Sequence, residues 1–354
     1  MMSKNKKLTI LSAAFVSTVM LSGCGLFGGD SGKESVDPPQ ETTYTDNAAE
    51  ETAAKAGEEA TAADSMPIEL YLVDKDGFVV PQTLNIPKTN SVAKESLEYL
   101  VKDGPVTEML PNGFQGVLPA GTSVSVNIKD KVATVDFSKE FNDYEASDES
   151  KIMQSVTWTL TQFDTIDSVK LQVNGKELKE MPVAKTPLQS TLTRADGINI
   201  DTKDVADITN TKPLTVYYVG GETGEYYYVP VTKRVSNSEE NNIAAAVGEL
   251  AEGPGTGSAL ATFMEQDVAL LDDPVVTDGK VTLNFNESIY NSADGEEKTV
   301  SDDLLNSLVL SLTEQEGIES VAITVNGEQD LVNEEGKSLT EPVSRPEKVN
   351  TGSF

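Results

Sequence analysis

The feature that most constrains the fold is an internal repeat, because the chain from Ile68 onward presents the same pattern of elements twice. From the second helix of each copy onward, the two copies align without a gap at a spacing of 152 residues. The matched apolar positions are Ile152, Val156 and Leu160 with Leu304, Leu308 and Leu312, and Val169, Leu171 and Val173 with Val321, Ile323 and Val325. Two copies are too few for a solenoid, so each copy is predicted to be a small domain with its own core.

Each copy begins with a hairpin, predicted at 70–81 in the first and 216–230 in the second. A helix with apolar residues at a period near 3.6 follows, and we predict that it ends at Gly104-Pro105 or Gly253-Pro254. Two strands, a second helix and a final strand complete each copy. The order β-β-α-β-β-α-β predicts an α+β fold of two tandem small sandwiches, each a mostly antiparallel sheet with two helices on one face.

The predicted domains are residues 67–185 and 213–345, and the segments around them are polar. Residues 186–212 contain few large apolar groups and are interpreted as a linker. The tail, 346–354, is predicted to be frayed.

The N-terminal residues 1–23 have the pattern of an export signal. Three lysines precede an uncharged, mostly apolar run from Leu8 to Met20, which is too short to span a bilayer comfortably. The run ends in Leu-Ser-Gly-Cys, which resembles the lipobox of bacterial lipoproteins, and Cys24 is the single cysteine. That resemblance implies S-diacylglyceryl and N-acyl groups on Cys24, with the lipid bilayer as its partner. The alternatives are an ordinary secretory signal or an uncleaved membrane anchor.

After Cys24, residues 24–66 are rich in Gly, Ser, Ala, Thr, Asp and Glu, with few large apolar side chains. Such a segment cannot bury enough apolar surface to offset the entropy of ordering. We predict a disordered acidic tether that holds the domains outside the membrane.

Composition excludes several classes of function. The chain has 58 acidic and 27 basic residues, a formal net charge of −31, so nucleic acid is not an expected partner. It has no histidine, and lipidation would use its one thiol. These absences remove Ser-His-Asp and Cys-His catalysis and the usual zinc, copper and haem ligands. We expect neither an enzyme nor a cofactor or metal site.

Four motifs have both a chemical and a structural interpretation. Asp74-Lys75-Asp76-Gly77 begins like a calcium loop but lacks its later carboxylates, so a hairpin turn is favoured. The glycine-rich segment 253–257 follows a helix and lacks the P-loop lysine, so a helix cap is favoured. Ser147 and Ser301, each followed by two acidic residues, are interpreted as N-caps.

Aromatic residues offer one further candidate surface. Five tyrosines cluster in the second hairpin, namely Tyr217, Tyr218, Tyr226, Tyr227 and Tyr228. Ordinary strand packing predicts alternate rings facing the core, whereas outward rings would form a contact surface for a protein or glycan. Trp158 takes the position of Leu310 in the second copy and is predicted to be core.

Together these residues resemble a known family. The resemblance rests on the Cys24 lipobox, the acidic tether, both Gly-Pro helix ends, the Leu118-Pro119-Ala120-Gly121-Thr122 lead into a strand, Val135-Asp136-Phe137, Thr159-Leu160-Thr161 and the doubled Val-Asn-Gly at 173–175 and 325–327. In this order they resemble the GerM family of sporulation and spore germination lipoproteins, which carry two GerMN domains. The second copy departs from the first by having Asp272-Asp273-Pro274 in place of the Pro-x-Gly-Thr lead.

The resemblance implies a non-enzymatic scaffold whose domains are similar to ring-building motifs of channel assemblies. It implies a location on the extracytoplasmic face of the cell membrane, in the space between mother cell and forespore. It also implies self-association and other sporulation ring or channel proteins as partners. The alternative is a peptidoglycan- or ligand-binding lipoprotein that uses the tyrosines.

Overall fold

The computed structural model describes residues 65–107, 109–110, 113–202, 208–222, 224–239, 241–290 and 298–351. The predicted signal, Cys24 and nearly all of the tether lie outside the described residues. We refer to residues 65–185 as module 1 and to residues 211–344 as module 2.

The described residues of module 1 form six strands and two α-helices. In chain order they are β1 (Ser65–Val73), β2 (Val79–Pro87), α1 (Val92–Glu98), β3 (Val124–Lys129), β4 (Val132–Phe137), α2 (Glu149–Leu160), β5 (Ser168–Val173) and β6 (Lys176–Glu177). Strands β1 and β2 form an antiparallel hairpin, and the remaining strands form a sheet in the order β3-β4-β5-β6. The short fourth strand β6 was not predicted.

Module 2 repeats this architecture. Its elements are β7 (Thr211–Glu222), β8 (Glu225–Ser236), α3 (Asn242–Glu252), β9 (Val275–Thr277), β10 (Lys280–Phe285), β11 (Thr299–Val300), α4 (Asp302–Thr313), β12 (Ser320–Val325), β13 (Val332–Asn333) and β14 (Val343–Ser344). Strands β7 and β8 form the hairpin, and the main sheet has the order β14-β12-β10-β9. Strands β11 and β13 form a separate parallel pair.

The second helix of each module connects two parallel strands. Strand β4 runs parallel to β5, and β10 runs parallel to β12. Parallel neighbours need a crossover connection, usually a helix, and α2 and α4 are those crossovers. The neighbouring strand pairs are antiparallel, so each sheet is mixed around one central parallel pair. The predicted α+β order with two helices on one face is confirmed.

Equivalent side chains attach each crossover helix to the hairpin of its own module. The Tyr71 N–H on β1 donates to Thr159 Oγ1 at 3.1 Å, and the Tyr217 N–H on β7 donates to Ser311 Oγ at 2.8 Å. Thr159 and Ser311 are 152 residues apart, the spacing of the repeat. Buried backbone groups require a partner, so both modules retain a short hydroxyl side chain here.

The two first helices end differently from one another. Helix α3 ends at Glu252, and Gly253, whose φ is 81°, is its C-cap, as predicted. Helix α1 ends at Glu98, so the prediction that it continues to Gly104 is wrong. Its last apolar residues leave the helix because Leu118 N–H donates to the Leu100 carbonyl and Lys102 N–H donates to the Leu118 carbonyl, each at 2.9 Å.

The predicted N-caps also require correction. Helix α2 begins after Asp148, at the end of a 3₁₀ turn, and Ser147 is not its cap. Ser301 is the N-cap residue of α4, with Asp302 and Asp303 in the first turn as predicted, but its hydroxyl makes no capping hydrogen bond. The acidic side chains bind elsewhere: Asp303 accepts from the Tyr228 hydroxyl at 3.1 Å, and Glu149 holds a loop of module 1.

In the described part of the chain, no helix is both long enough and apolar enough to cross a membrane.

Candidate functional site: the interface between the modules

Two short segments cross from one module to the other. We call residues 194–201, which follow module 1, arm 1, and residues 345–350, which follow module 2, arm 2. Arm 1 pairs with Thr232 of β8: Ile198 N–H donates to Thr232 Oγ1 at 2.9 Å, and Thr232 N–H donates to the Ile198 carbonyl at 2.8 Å. Arm 1 therefore completes the hairpin of module 2.

Arm 2 makes the reciprocal contact. Val349 N–H donates to Thr83 Oγ1 at 2.8 Å, and Thr83 N–H donates to the Val349 carbonyl at 3.0 Å. Thr83 lies on β2, at the place that Thr232 occupies on β8. Each module thus donates its arm to the hairpin of the other, and Ile198 and Val349 are buried at 0% and 2% exposure.

One asparagine in each arm joins both hairpins. The Asn199 amide nitrogen donates to the carbonyls of Val79 and Pro230 at 2.7 and 2.8 Å, and its oxygen accepts from Val79 N–H. The Asn350 amide nitrogen donates to the carbonyls of Pro81 and Tyr228 at 2.7 and 2.9 Å, and its oxygen accepts from Tyr228 N–H. Both asparagines have positive φ, 46° and 54°, a conformation that asparagine tolerates better than most residues. They bridge β2 and β8 without a direct strand ladder.

One arginine in each arm enters an ionic cluster between the modules. Arg194 Nη1 lies 2.7 Å from Glu314 Oε1 at the end of α4, and its Nε donates to Thr161 Oγ1 at 3.1 Å. Its guanidinium carbon lies 4.3 Å from the Trp158 ring centroid, a cation–π geometry. Trp158 is 1% exposed, so its predicted core position is confirmed.

Arg345 approaches the same glutamate from the other side. Its Nη1 lies 3.7 Å from Glu314 Oε2, and its Nη2 lies 3.6 Å from Glu69 Oε1. The same Nη2 donates to the Tyr217 hydroxyl at 3.2 Å, and that hydroxyl donates to Glu314 Oε2 at 3.1 Å. Two arginines and two glutamates balance in charge, which lowers the cost of burying them.

The electrostatics of Glu314 favour its charged form. Burial alone would raise the pKa of its carboxyl, but the Arg194 and Arg345 guanidiniums and the hydrogen bonds from Arg194 and Tyr217 hold the pKa below its usual value. The Tyr217 pKa is raised, mainly by burial, so its hydroxyl keeps its proton. The Glu314 carboxylate is therefore ionised at neutral pH and only accepts hydrogen bonds.

A second contact joins the turn of the first hairpin to the second hairpin. The Tyr227 hydroxyl donates to Asp74 Oδ2 at 2.8 Å, while Asp74 Oδ1 accepts from the N–H groups of Asp76 and Phe78 at 3.0 and 2.8 Å. Burial raises the pKa of Asp74, and these hydrogen bonds oppose the rise. Because both oxygens are used in the turn and the contact, the hairpin-turn interpretation is confirmed.

The tyrosines of the second hairpin lie inside the molecule. Tyr217 and Tyr218 are neighbours, yet both are fully buried, and Tyr227 is 3% exposed. The expected alternation is wrong at the first pair because both faces of β7 are covered. Tyr218 bonds to carbonyls at the end of α3, whereas Tyr217 faces α4 and the ionic cluster. Tyr226 and Tyr228 are half-buried, so an outward aromatic surface is not formed by these rings.

The arms were not predicted from the sequence, because residues 186–212 and the tail are polar in composition. The tail is held in place at Val349 and Asn350, which are buried and hydrogen-bonded to β2 and β8, so the prediction that it is frayed is wrong as far as Asn350. A sequence signal was present: Arg194, Ile198 and Asn199 match Arg345, Val349 and Asn350 at a spacing of 151 residues. The repeat thus extends past the Val-Asn-Gly strands.

The contacts at this interface hold the two modules together. A cleft of about 650 Å³ opens beside Arg194 and Glu314. Of the two glutamates in the ionic cluster, Glu314 alone lines this cleft, and its carboxylate already accepts hydrogen bonds from Arg194 and Tyr217. A lowered pKa and filled lone pairs do not suit a general acid or base. Among the described residues, no three His, Cys, Asp or Glu side chains are grouped to hold a metal ion.

The fold and the interface define a class of protein: two tandem α+β domains locked together by exchanged arms. A profile of the Germane family, described as sporulation and spore germination, matches residues 69–179 and 215–331. The chain belongs to this family of sporulation and spore germination proteins. It is 53% identical, over the whole length of both chains, to the spore germination protein GerM of Bacillus subtilis strain 168.

Two solved structures from the same organism are similar to the chain. The tandem GerMN domains of Bacillus subtilis GerM match with a TM-score of 0.77 and 56% identity, covering 82% of this chain and all of that one. The first GerMN domain of that protein is 62% identical, with a TM-score of 0.36, covering 36% of this chain and 98% of that one. The match to the tandem structure shows that the chain carries tandem GerMN domains.

Proposed function

We propose that this protein is a membrane-anchored, extracytoplasmic, non-enzymatic scaffold that acts in sporulation and spore germination. The observation that supports this proposal is the reciprocal exchange of arms. Two domains that share hydrogen bonds, an ionic cluster and buried apolar groups present fixed surfaces to partners, as a scaffold requires.

The anchor is proposed to be the lipid on Cys24, with the chain from residue 24 onward outside the membrane. Two acyl chains give stable membrane binding, whereas one gives only weak and reversible binding. The partners are further copies of the chain and other sporulation ring or channel proteins, and packing of the ring-building type is the proposed mode of assembly.

The anchor is tested by changing Cys24 to alanine. We expect the variant to leave the membrane fraction on cell fractionation, while its thermal unfolding midpoint in the released fraction matches that of a wild-type chain expressed from Ser31 onward. Retention of the variant in the membrane fraction would show that the signal is an uncleaved anchor.

Assembly is tested on the chain from Ser31 onward by light scattering and negative-stain microscopy, alone and with candidate ring proteins. Assemblies larger than a monomer support the scaffold. A strict monomer that binds no partner contradicts it. A fluorescent fusion should concentrate at the forespore during sporulation, and a uniform signal over vegetative membranes would contradict the proposed site of action.

A further inference from the structure

One edge of module 2 exposes apolar side chains. Strand β9 (Val275–Thr277) is the last strand of its sheet and pairs with β10 alone among the described strands. Val275, Val276 and Leu271 are 60%, 48% and 49% exposed, and they make up half of the large hydrophobic residues that are exposed in the described chain. Exposed apolar edge strands attract further strands, and proteins usually protect them.

Module 1 shows that the fold does not need this exposure. Asn127 pairs with Thr134 in β3–β4, and Val275 pairs with Thr282 in β9–β10. Thr134 and Thr282 are 148 residues apart, like Val135 and Leu283, so Asn127 and Val275 occupy the same place. One module carries a polar residue there and the other a valine, although both fold alike. The valine is therefore not explained by the stability of the sheet.

The backbone of β9 is also available. Asp278 and Gly279 form a two-residue turn with positive φ, 51° and 75°, between the paired residues Thr277 and Lys280. In such a hairpin the residues that flank the turn exchange hydrogen bonds, and the next pair does not. The N–H and C=O of Val276 consequently point away from β10, toward the open edge, where a new strand can pair with them.

Acidic residues precede and follow β9, and they outnumber the one lysine, Lys280, that pairs with this strand, so they indicate the chemistry of its partner. Asp272 and Asp273 precede β9, and Asp278 follows it. With 58 acidic and 27 basic residues, a second copy of the chain would bring like charge to the same place. We propose that β9 is the docking edge for an extended segment of another protein, with alternating β-branched residues flanked by lysine or arginine. This goes beyond the scaffold function, since it holds with or without a lipid anchor.

The proposal is tested by peptide binding to the chain from Ser31 onward. This shorter chain is suitable because the tandem domains of the Bacillus subtilis relative have been solved as a structure by themselves. The probes are two fluorescein-labelled peptides, Lys-Val-Thr-Val-Thr-Val-Lys and Glu-Val-Thr-Val-Thr-Val-Glu. We expect the lysine peptide to bind at least tenfold more tightly in fluorescence anisotropy. It should also slow amide exchange in residues 273–279. Equal binding of the two peptides, or no binding of either, would overturn the proposal.

A double variant locates the site. Val275→Asn gives the edge the polar residue that module 1 has at this place, and Val276→Thr makes the neighbouring position polar while keeping its β-branched shape. The double variant should weaken binding of the lysine peptide at least tenfold without lowering the unfolding midpoint. Val183→Asn, at an exposed valine of module 1, is the matched control and should bind normally. Unchanged binding by the double variant contradicts the docking edge. A wild-type dimer that the double variant converts to a monomer would identify a second copy as the occupant instead.

Discussion

At the scale of single residues, the two arm asparagines join the modules through side-chain amides that bond to both hairpins. Each forms three side-chain hydrogen bonds to the backbone of both hairpins. Buried backbone groups left without a partner cost about 1–3 kcal/mol each. These two side chains therefore hold together two hairpins that no direct ladder connects.

Asn350→Ala should lower the free energy of unfolding by about 2–3 kcal/mol, because it removes three hydrogen bonds and disfavours the positive φ. The loss in unfolding free energy for Asn350→Gly should be about 1 kcal/mol smaller than that for Asn350→Ala, since glycine accepts a positive φ. Urea unfolding measures both values. Asn142→Ala is the control, because Asn142 is exposed and bonds only within its own turn. A loss as small as that of the control would contradict the role given to Asn350.

Glu314 makes stability depend on pH in a defined direction. Its pKa is lowered in the folded chain, so its contribution is fully present above the unfolded pKa of about 4.3 and is lost as the pH falls through the lower folded pKa. Glu314→Gln should therefore destabilise the protein at pH 7 by roughly 3 kcal/mol, and the difference from wild type should shrink below about pH 4.

Denaturant unfolding of this variant at a series of pH values measures the effect. The matched control is Glu316→Gln, two residues away on the exposed side of the same turn. A difference from wild type that stays constant from pH 7 to pH 3 would contradict the assignment.

At the scale of elements, the N-terminus of α2 holds a loop of module 1. The Glu149 carboxylate is 2% exposed and accepts from the N–H groups of Val183, Ala184 and Thr186, and from the hydroxyls of Tyr144 and Thr186. Burial would raise its pKa, but these hydrogen bonds lower it, so the carboxylate stays charged. Module 2 has Ser301 at the same place and lacks this attachment.

Glu149→Ala should release residues 183–186 from α2. We expect faster amide exchange at these positions and a loss of about 3 kcal/mol in unfolding free energy, since several donors lose a charged acceptor. Glu145→Ala, at an exposed glutamate just before the helix, should change neither quantity. If exchange in the loop is unaffected, the loop is held by other contacts.

Sequence patterns predicted the elements well where the core repeats. The apolar positions of α2 and α4 and of the strands that follow them lie where the 152-residue alignment placed them. The end of α1 was not predictable, because backbone hydrogen bonds to Leu118 override the glycine signal at Gly104. The arms were not predicted because each has a single buried apolar residue, Ile198 or Val349, in a polar segment, so they show no apolar periodicity. Only their match at a spacing of 151 residues marks them in the sequence.

At the scale of the whole molecule, the exchanged arms make the two modules depend on each other. Neither hairpin is complete without the arm of the other module, and the ionic cluster takes residues from both modules and both arms. We infer that the tandem domains unfold as one cooperative unit.

Removal of residues 345–354 should weaken the coupling between the modules, which arm 1 alone would then maintain. The truncated chain loses Arg345, Val349 and Asn350, so we expect two calorimetric transitions, with the first at a lower temperature than the single transition of the intact chain. A chain that ends at Thr351 keeps the whole of arm 2 and should behave as the intact chain does. An unchanged single transition in the shorter chain would show that arm 2 does not couple the modules.

Arm 2 also sets an order of events during synthesis. Thr83 meets Val349 across 266 residues, whereas Ile198 meets Thr232 across only 34. Contacts so distant in sequence form late, because the chain between them must first be made and brought together. The open side of β2 stays uncovered until residues 345–350 have been synthesised, and a chain that stops before them cannot complete this contact of module 1. Arm 2 thus makes completion of module 1 wait for the synthesis of module 2, which precedes arm 2 in the chain.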